Sequence, residues 1–209
     1  MDDLLLIDEQ LYDDERMIRD SVARFVKQDV IPLMAESFEH ATFPREFIQK
    51  SADLGLLGLT LPAEYGGADA SYVAYGLVCQ ELERGDSGLR SFVSVQSSLC
   101  MYPIFAYGTK EQKAKYLLPM SRGQVIGCFG LTEPDGGSDP AGMKTTATKV
   151  AGGWLLNGSK LWITNSTIAH IAIVWAKINL NGQSEIRGFV VDLTSPGVAT
   201  SKITNKMSL

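Results

Sequence analysis

The stretch Lys144–Ile163, KTTATKVAGGWLLNGSKLWI, alternates short β-branched and aromatic runs with a Gly152-Gly153 pair and an Asn157-Gly158 pair. Such pairs suit the tight turns of β-hairpins, so the spacing predicts strands at Lys144–Val150, Trp154–Leu156 and Lys160–Ile163, joined by hairpins. The same texture extends both ways. Upstream lies Val125–Phe129. Downstream lie His170–Lys177, Ile186–Leu193 and Val198–Ile203, punctuated by Asn181-Gly182 and Pro196-Gly197. Evenly spaced short strands with Gly, Asn and Pro turns predict an antiparallel sheet, barrel or sandwich.

Before Gly123 the pattern is helical. Leu11, Ile18, Val22, Phe25 and Val26 recur at helical spacing, with Asp13 or Asp14 as the cap and an end near Met34–Ser37. Pro44 suits the first turn of a second helix, closed by Gly55. Gly58–Ala70 reads as a connection, and Ser71–Arg84 and Ser87–Tyr107 as two mostly buried helices. Thr109 with Gln112 resembles a capping box for a last helix to about Arg122. The expected organisation is therefore α + β: an all-α domain over 1–122, then a β domain over 123–209.

At 209 residues, 45% hydrophobic and 21% charged, the chain can bury a sizeable core. A net charge of -5 without a basic run argues against nucleic acid as a partner. Cys79, Cys100 and Cys128, each among apolar residues, suggest thiols in a reducing compartment. The acidic start MDDLLLIDEQ lacks the basic, longer apolar form of a signal peptide, and no run approaches the roughly 20 apolar residues of a membrane span. A cytoplasmic protein is expected.

Familiar catalytic sets are absent. His40 and His170 stand apart from other ligand types, and no CxxC, HExxH, P-loop or GxGxxG after a strand occurs. The loop FGLTEPDGGSD, Phe129–Asp139, stands out. Its adjacent glycines would let the backbone take positive φ and approach a ligand, with successive amides and the Thr132 and Ser138 hydroxyls as donors. It reads equally as a connector capped by Asp139. Trp162-Ile163-Thr164 could pack on a flat ring, or Trp162 could sit in the core of a sheet. Arg90-Ser91 put a charge early in an apolar helix. Arg90 then needs a ligand carboxylate or an internal partner, and Glu83 could fold back to supply one.

Together these residues resemble the acyl-CoA dehydrogenase family over essentially the whole chain. GCFGLTEPDGGSDPAGM (Gly127–Met143) looks like its signature, LNGSKLWITN (Leu156–Asn165) like its second flavin-contacting strand, and LPAEYGG (Leu61–Gly67) fits upstream. ERGDSGLRSFVSVQSSLCMYPI (Glu83–Ile104) most resembles the glutaryl-CoA dehydrogenase branch. The resemblance implies FAD, lined by Phe129, Gly130, Leu131, Thr132, Gly137 and Ser138, with Trp162, Ile163 and Thr164 against the ring. Arg90, Ser91, Ser138 and Glu83 would form the substrate site, the first two holding the distal carboxylate of glutaryl-CoA.

The implied reaction is oxidative decarboxylation to crotonyl-CoA and carbon dioxide, in lysine and tryptophan degradation. A carboxylate base removes the α-proton as hydride passes to the flavin, and electrons leave through an electron-transferring flavoprotein. The family's base is a glutamate in a C-terminal four-helix bundle, which would lie beyond Leu209. The chain therefore resembles the N-terminal half, with a truncated β domain, no assignable catalytic residue and no expected activity alone. A homotetramer is implied for the full-length protein. Two alternatives stand: a short-chain acyl-CoA dehydrogenase without decarboxylation, and a non-catalytic module binding a nucleotide or partner.

Overall fold

The computed structural model describes residues 5–204 and 206; Met1–Leu4, where the acidic start begins, lie outside the described residues. The chain divides into two compact units, the first running to Gln124 and the second starting at Val125.

The first unit is helical. Helix α1, Asp13–Phe25, runs through a π turn at Val26–Val30 into α2, Ile31–Glu39. Its start corrects the expected Asp13 or Asp14 cap. Tyr12 is the last extended residue, and its amide donates to Glu15 Oε2 at 3.0 Å. Asp13 and Asp14 instead lie inside the first turn, where negative charge complements the helix dipole. The other Glu15 oxygen accepts the Ser71 hydroxyl at 2.5 Å. Ser71 in turn caps α4, Tyr72–Gly85, by accepting the Ala74 amide. One buried carboxylate thus ties two helix starts together. At the far end of α4, a Cβ on Gly85 would lie 2.9 Å from Val26 and Val30 methyls, so glycine permits the close crossing.

Helix α3, Glu46–Asp53, sends Phe47 against Phe92 of α5, Ser87–Ser94, edge to face at 5.9 Å. The expected single helix Ser87–Tyr107 widens into a π turn at Val95–Met101 before α6, Tyr102–Tyr107. Two buried polar residues pin that turn. Gln96 donates to the Met120 carbonyl at 3.1 Å, and Ser97 Oγ accepts the Gly58 amide at 2.9 Å. Helix α7, Lys110–Ser121, opens with the expected reciprocal box between Thr109 and Gln112. In the connection after α3, a Cβ on Gly67 would fall 1.9 Å from the Leu61 carbonyl oxygen. Backbone cannot yield as a flexible side chain can. Gly67→Ala is expected to cost about 3 kcal/mol, the upper end for overpacking, read as a lower urea midpoint at unchanged m-value.

The second unit holds strands β1 Gly127–Gly130, β2 Thr146–Val150, β3 Gly153–Asn157, β4 Ile171–Leu180 and β5 Gln183–Asp192. Long apolar β4 is the centre. β5 covers one edge along its whole length, antiparallel. The other edge is shared: β1 pairs with Ile171–Val174 and β2 reaches Lys177, both parallel, and β3 pairs antiparallel outside β2. The sheet is therefore mixed, which corrects the antiparallel expectation. Across the sheet, Trp154 of β3 meets Phe189 of β5 at 5.4 Å, and Phe189 packs on Ala147, Ala176 and Ile178.

Two further expectations change. Hairpins form at Gly152 and at Asn181-Gly182, but Asn157-Gly158 closes none. Gly158 instead allows close approach, since a Cβ there would lie 2.2 Å from Thr145 Oγ1. Lys160–Ile163 and Val198–Ile203 have strand composition but join no ladder. Leu161 spends its amide on the Thr132 carbonyl instead.

Candidate functional sites

The shared edge of β4 creates the first site. The chain leaves that edge at Gly130 and returns at Thr146, so residues 131–145 form a loop with neighbouring ends. Such loops are held by their own side chains. The holding group is Glu133, 7% exposed. Its carboxylate accepts the Lys144 amide at 2.6 Å, the Thr145 amide at 2.9 Å and the Thr145 hydroxyl at 2.5 Å. Lys160 Nζ adds an ion pair at 2.9 Å and also donates to the Leu131 carbonyl at 3.0 Å. Burial alone would raise the Glu133 carboxyl. The Thr145 hydroxyl, the Lys144 amide, the Lys160 ammonium and the Thr145 amide outweigh it and hold the group at about 2. No local pattern in the sequence marks Glu133, Thr145 and Lys160 as partners, because they lie up to 27 residues apart.

Outward of this clamp the loop is open. Gly137, Ser138 and Asp139 are exposed. Gly136 and Gly137 do not take positive φ, which corrects the reason expected for them. A Cβ on either would meet nothing nearer than 3.8 Å, so the fold leaves bare backbone facing open space. No hydrogen bond among the described residues engages the amides of Gly137 and Ser138 or the Ser138 hydroxyl. Asp139 caps a short turn by accepting the Gly142 amide at 3.2 Å, as the connector reading expects. Of the upstream residues, Phe129 packs on Trp175 at 6.1 Å, Gly130 is buried, and Leu131 and Thr132 are half-buried.

Trp162 is 62% exposed, which removes the sheet-core reading. It also has φ +61, a left-handed backbone that a bulky side chain rarely adopts. Ile163 is half-buried and Thr164 exposed. Asn165 follows at φ +69 and anchors to the Gly127 carbonyl at 3.3 Å. The Leu161–Thr132 backbone bond, 2.9 Å, sets this segment beside the loop. His170 is structural: its Nδ1 accepts the Ile126 amide at 3.0 Å.

The second site lies in the helical unit, between α4 and α5. Arg90 Nε donates to Glu83 Oε2 at 2.6 Å, and Ser87 donates to the other oxygen at 2.5 Å. The Arg90 bond, then the Ser87 bond, hold the Glu83 carboxyl below its usual range. The internal pair foreseen for Arg90 therefore forms, through one edge of the guanidinium. On the other edge, Nη1 lies 3.4 Å from Ser94 Oγ, and Nη2 has no partner among the described residues. The Ser94 hydroxyl donates to the Ser91 carbonyl at 3.1 Å, which places a further hydroxyl beside Arg90, one turn on. The i, i+4 spacing could have flagged it. The seam continues with Cys79 and with Tyr75, bonded to Ser98 at 2.8 Å and pushed up to about 12 mainly by burial.

These features meet in one family. Residues 12–124 match the acyl-CoA dehydrogenase N-terminal domain and residues 128–209 its middle domain, and the chain belongs to the acyl-CoA dehydrogenase family. Glutaryl-CoA dehydrogenase from Mycobacterium smegmatis is similar over 99% of this chain and 52% of its own, at 50% identity and TM-score 0.93. Rattus norvegicus short-chain specific acyl-CoA dehydrogenase is 34% identical over 96% of this chain. Pongo abelii isovaleryl-CoA dehydrogenase is 35% identical over 95% of it. The chain spans about half the length of these relatives, 49% and 48%. A further structure of a glutaryl-CoA dehydrogenase from M. smegmatis, 47% identical with TM-score 0.93, is a complex with FADH2.

Proposed function

We propose that this chain supplies the flavin-facing loop and the acyl-recognition helices of an FAD-dependent glutaryl-CoA dehydrogenase. The carrying observation is the divided guanidinium of Arg90. Glu83 fixes Nε, Nη1 makes only a long 3.4 Å bond to the Ser94 hydroxyl, and Nη2 is left for a second carboxylate. Arginine's planar fork suits that division. The half-identical M. smegmatis enzyme supports the same substrate.

The residues around residues 131–138 and 162–164 fit FAD: bare glycine backbone, unengaged amides and an exposed tryptophan. When bound, FAD would supply the hydride acceptor. The chain's own residues would orient and shield. Trp162 would cover the ring, the amides of Gly137 and Ser138 would donate to it, and Arg90 would draw the distal carboxylate to one end of the acyl chain. Binding energy from that remote carboxylate serves to align the reacting carbons. The α-proton base is proposed to lie in sequence that the relatives carry beyond the half matched here. Electron-transferring flavoprotein as acceptor, a homotetramer and a cytoplasmic setting complete the reading.

A short-chain acyl-CoA dehydrogenase is the second reading. It is favoured by Arg90 already having a carboxylate partner in Glu83. In both readings, FAD titrated into the 209-residue chain should quench tryptophan emission, with Trp162→Phe removing most of the quench. The same chain with FAD and an artificial acceptor should not oxidise glutaryl-CoA. Absent quenching would defeat the flavin assignment, and turnover above background would defeat the missing base.

A further inference from the structure

Strain at a bulky residue persists only where its surroundings over-determine it. Trp162 at φ +61 is such a residue, and bonds hold it on both sides. After it, Asn165 reaches the Gly127 carbonyl and Ile168 donates to the Asn165 carbonyl at 2.9 Å. Before it, Leu161 donates to Thr132, and Lys160 is fixed by Leu131 and Glu133. The Lys160 stem crosses Gly130, where an added Cβ would lie 3.3 Å from Lys160 Cγ. Glu133 is itself immobilised by Lys144 and Thr145.

The bonds from Glu133 to Lys144 and Thr145 close its own loop without help from Lys160. Lys160 belongs to no strand and adds nothing to a ladder. What its ammonium adds is a link from the loop to the segment that carries Trp162. We propose that the buried Lys160–Glu133 pair is a positioning device that holds Trp162 exposed and left-handed beside Thr132. Its purpose, presenting one continuous face to a flavin, rests on the functional reading above; the conformational claim does not.

The test uses the 209-residue chain labelled with 5-fluorotryptophan, without FAD. Trp162→Phe assigns the Trp162 fluorine resonance against Trp154 and Trp175. Lys160→Met keeps the stem over Gly130 and removes the charge. It should shift or broaden the Trp162 resonance, leave the other two in place, and raise amide exchange at Leu161 about tenfold. Lys160→Arg should restore both readouts.

Unchanged Trp162 and Leu161 signals in Lys160→Met would overturn the proposal. So would movement of all three tryptophans together, which marks general loosening. If Lys160→Met does not fold, Lys160→Gln, which keeps a donor for the Leu131 carbonyl, takes its place. Failure of both to fold would assign the pair to stability alone and overturn positioning. Adding FAD to the unmodified chain separates the two claims: an unmoved Trp162 resonance removes the flavin reading and leaves the positioning result as found.

Discussion

Glu133→Ala is expected to lower the melting temperature of the sheet unit by roughly 10–20 °C, corresponding to a loss of about 3 kcal/mol in a domain of this size. The substitution removes one group and strands four donors. The amides of Lys144 and Thr145, the Thr145 hydroxyl and the Lys160 ammonium all lose their shared acceptor. Thr145 is buried, and the Lys160 side chain is only 12% exposed, so water replaces the lost bonds poorly. Removing one partner of a buried pair costs far more than the pair was worth, because the survivor keeps its desolvation penalty. Asp135→Ala is the control. It breaks the Lys144–Asp135 pair on the same loop, but both side chains are more than 70% exposed. Its effect should stay under about 1 kcal/mol. Equal shifts in the two variants, followed by circular dichroism, would sink the argument.

The same carboxylate sets an acid limit. Its folded-state value, about 2, lies below the ordinary carboxyl value of 4.5. A depressed value contributes stability that is fully present above the unfolded value and lost as pH falls through the folded one. The unmodified chain should therefore lose part of its stability between about pH 4.5 and 2, and Glu133→Gln should flatten that part of the profile. The slope is expected in the sheet unit's transition, because every partner of Glu133 lies in that unit.

Which parts of this were legible in the sequence follows from the range of the forces involved. The change from helices to strands near Gly123 rests on periodicity, which local composition carries. The Thr109–Gln112 box and the Glu83–Arg90 pair span short, structured intervals, and both are visible as spacing. Lys160–Ile163 misled because β-branched and aromatic residues suit any extended backbone, while its backbone bond across the chain, from the Leu161 amide, goes to a loop carbonyl at Thr132. Asn157-Gly158 has hairpin composition, but the glycine answers to the Thr145 side chain instead. Glu133 was hidden for a related reason: its partners lie 11 to 27 residues away, and no local pattern joins them. The mixed sheet was equally hidden, since parallel pairing of β1 and β2 with one edge of β4 is a choice of topology.

Arg90→Ala should separate the two substrate readings by the largest kinetic effect expected here. In the glutaryl-CoA dehydrogenase proposed above, kcat/KM for glutaryl-CoA should fall about 100-fold. A charge-assisted hydrogen-bond pair contributes roughly 1.5–3 kcal/mol, and each 1.4 kcal/mol is tenfold. Butyryl-CoA has no distal carboxylate to lose, so its kcat/KM should change by no more than about threefold, well inside a single such bond. Glu83→Gln then tells how the arginine is held. It keeps an oxygen that can accept from Nε but removes the charge opposing an incoming carboxylate. If Glu83 serves only to aim the guanidinium, this variant should retain discrimination between the two substrates, and Glu83→Ala should lose it. Equal losses on both substrates in Arg90→Ala would mean that Arg90 and Glu83 serve each other, joining α4 to α5 as an internal pair. Selection would then have to come from elsewhere in the acyl pocket, and the short-chain reading would be preferred. The geometry favours the first outcome because the pair with Glu83 is formed through Nε alone, leaving Nη2, and Nη1 with only a long bond to Ser94, in a fork that binds carboxylates in two places.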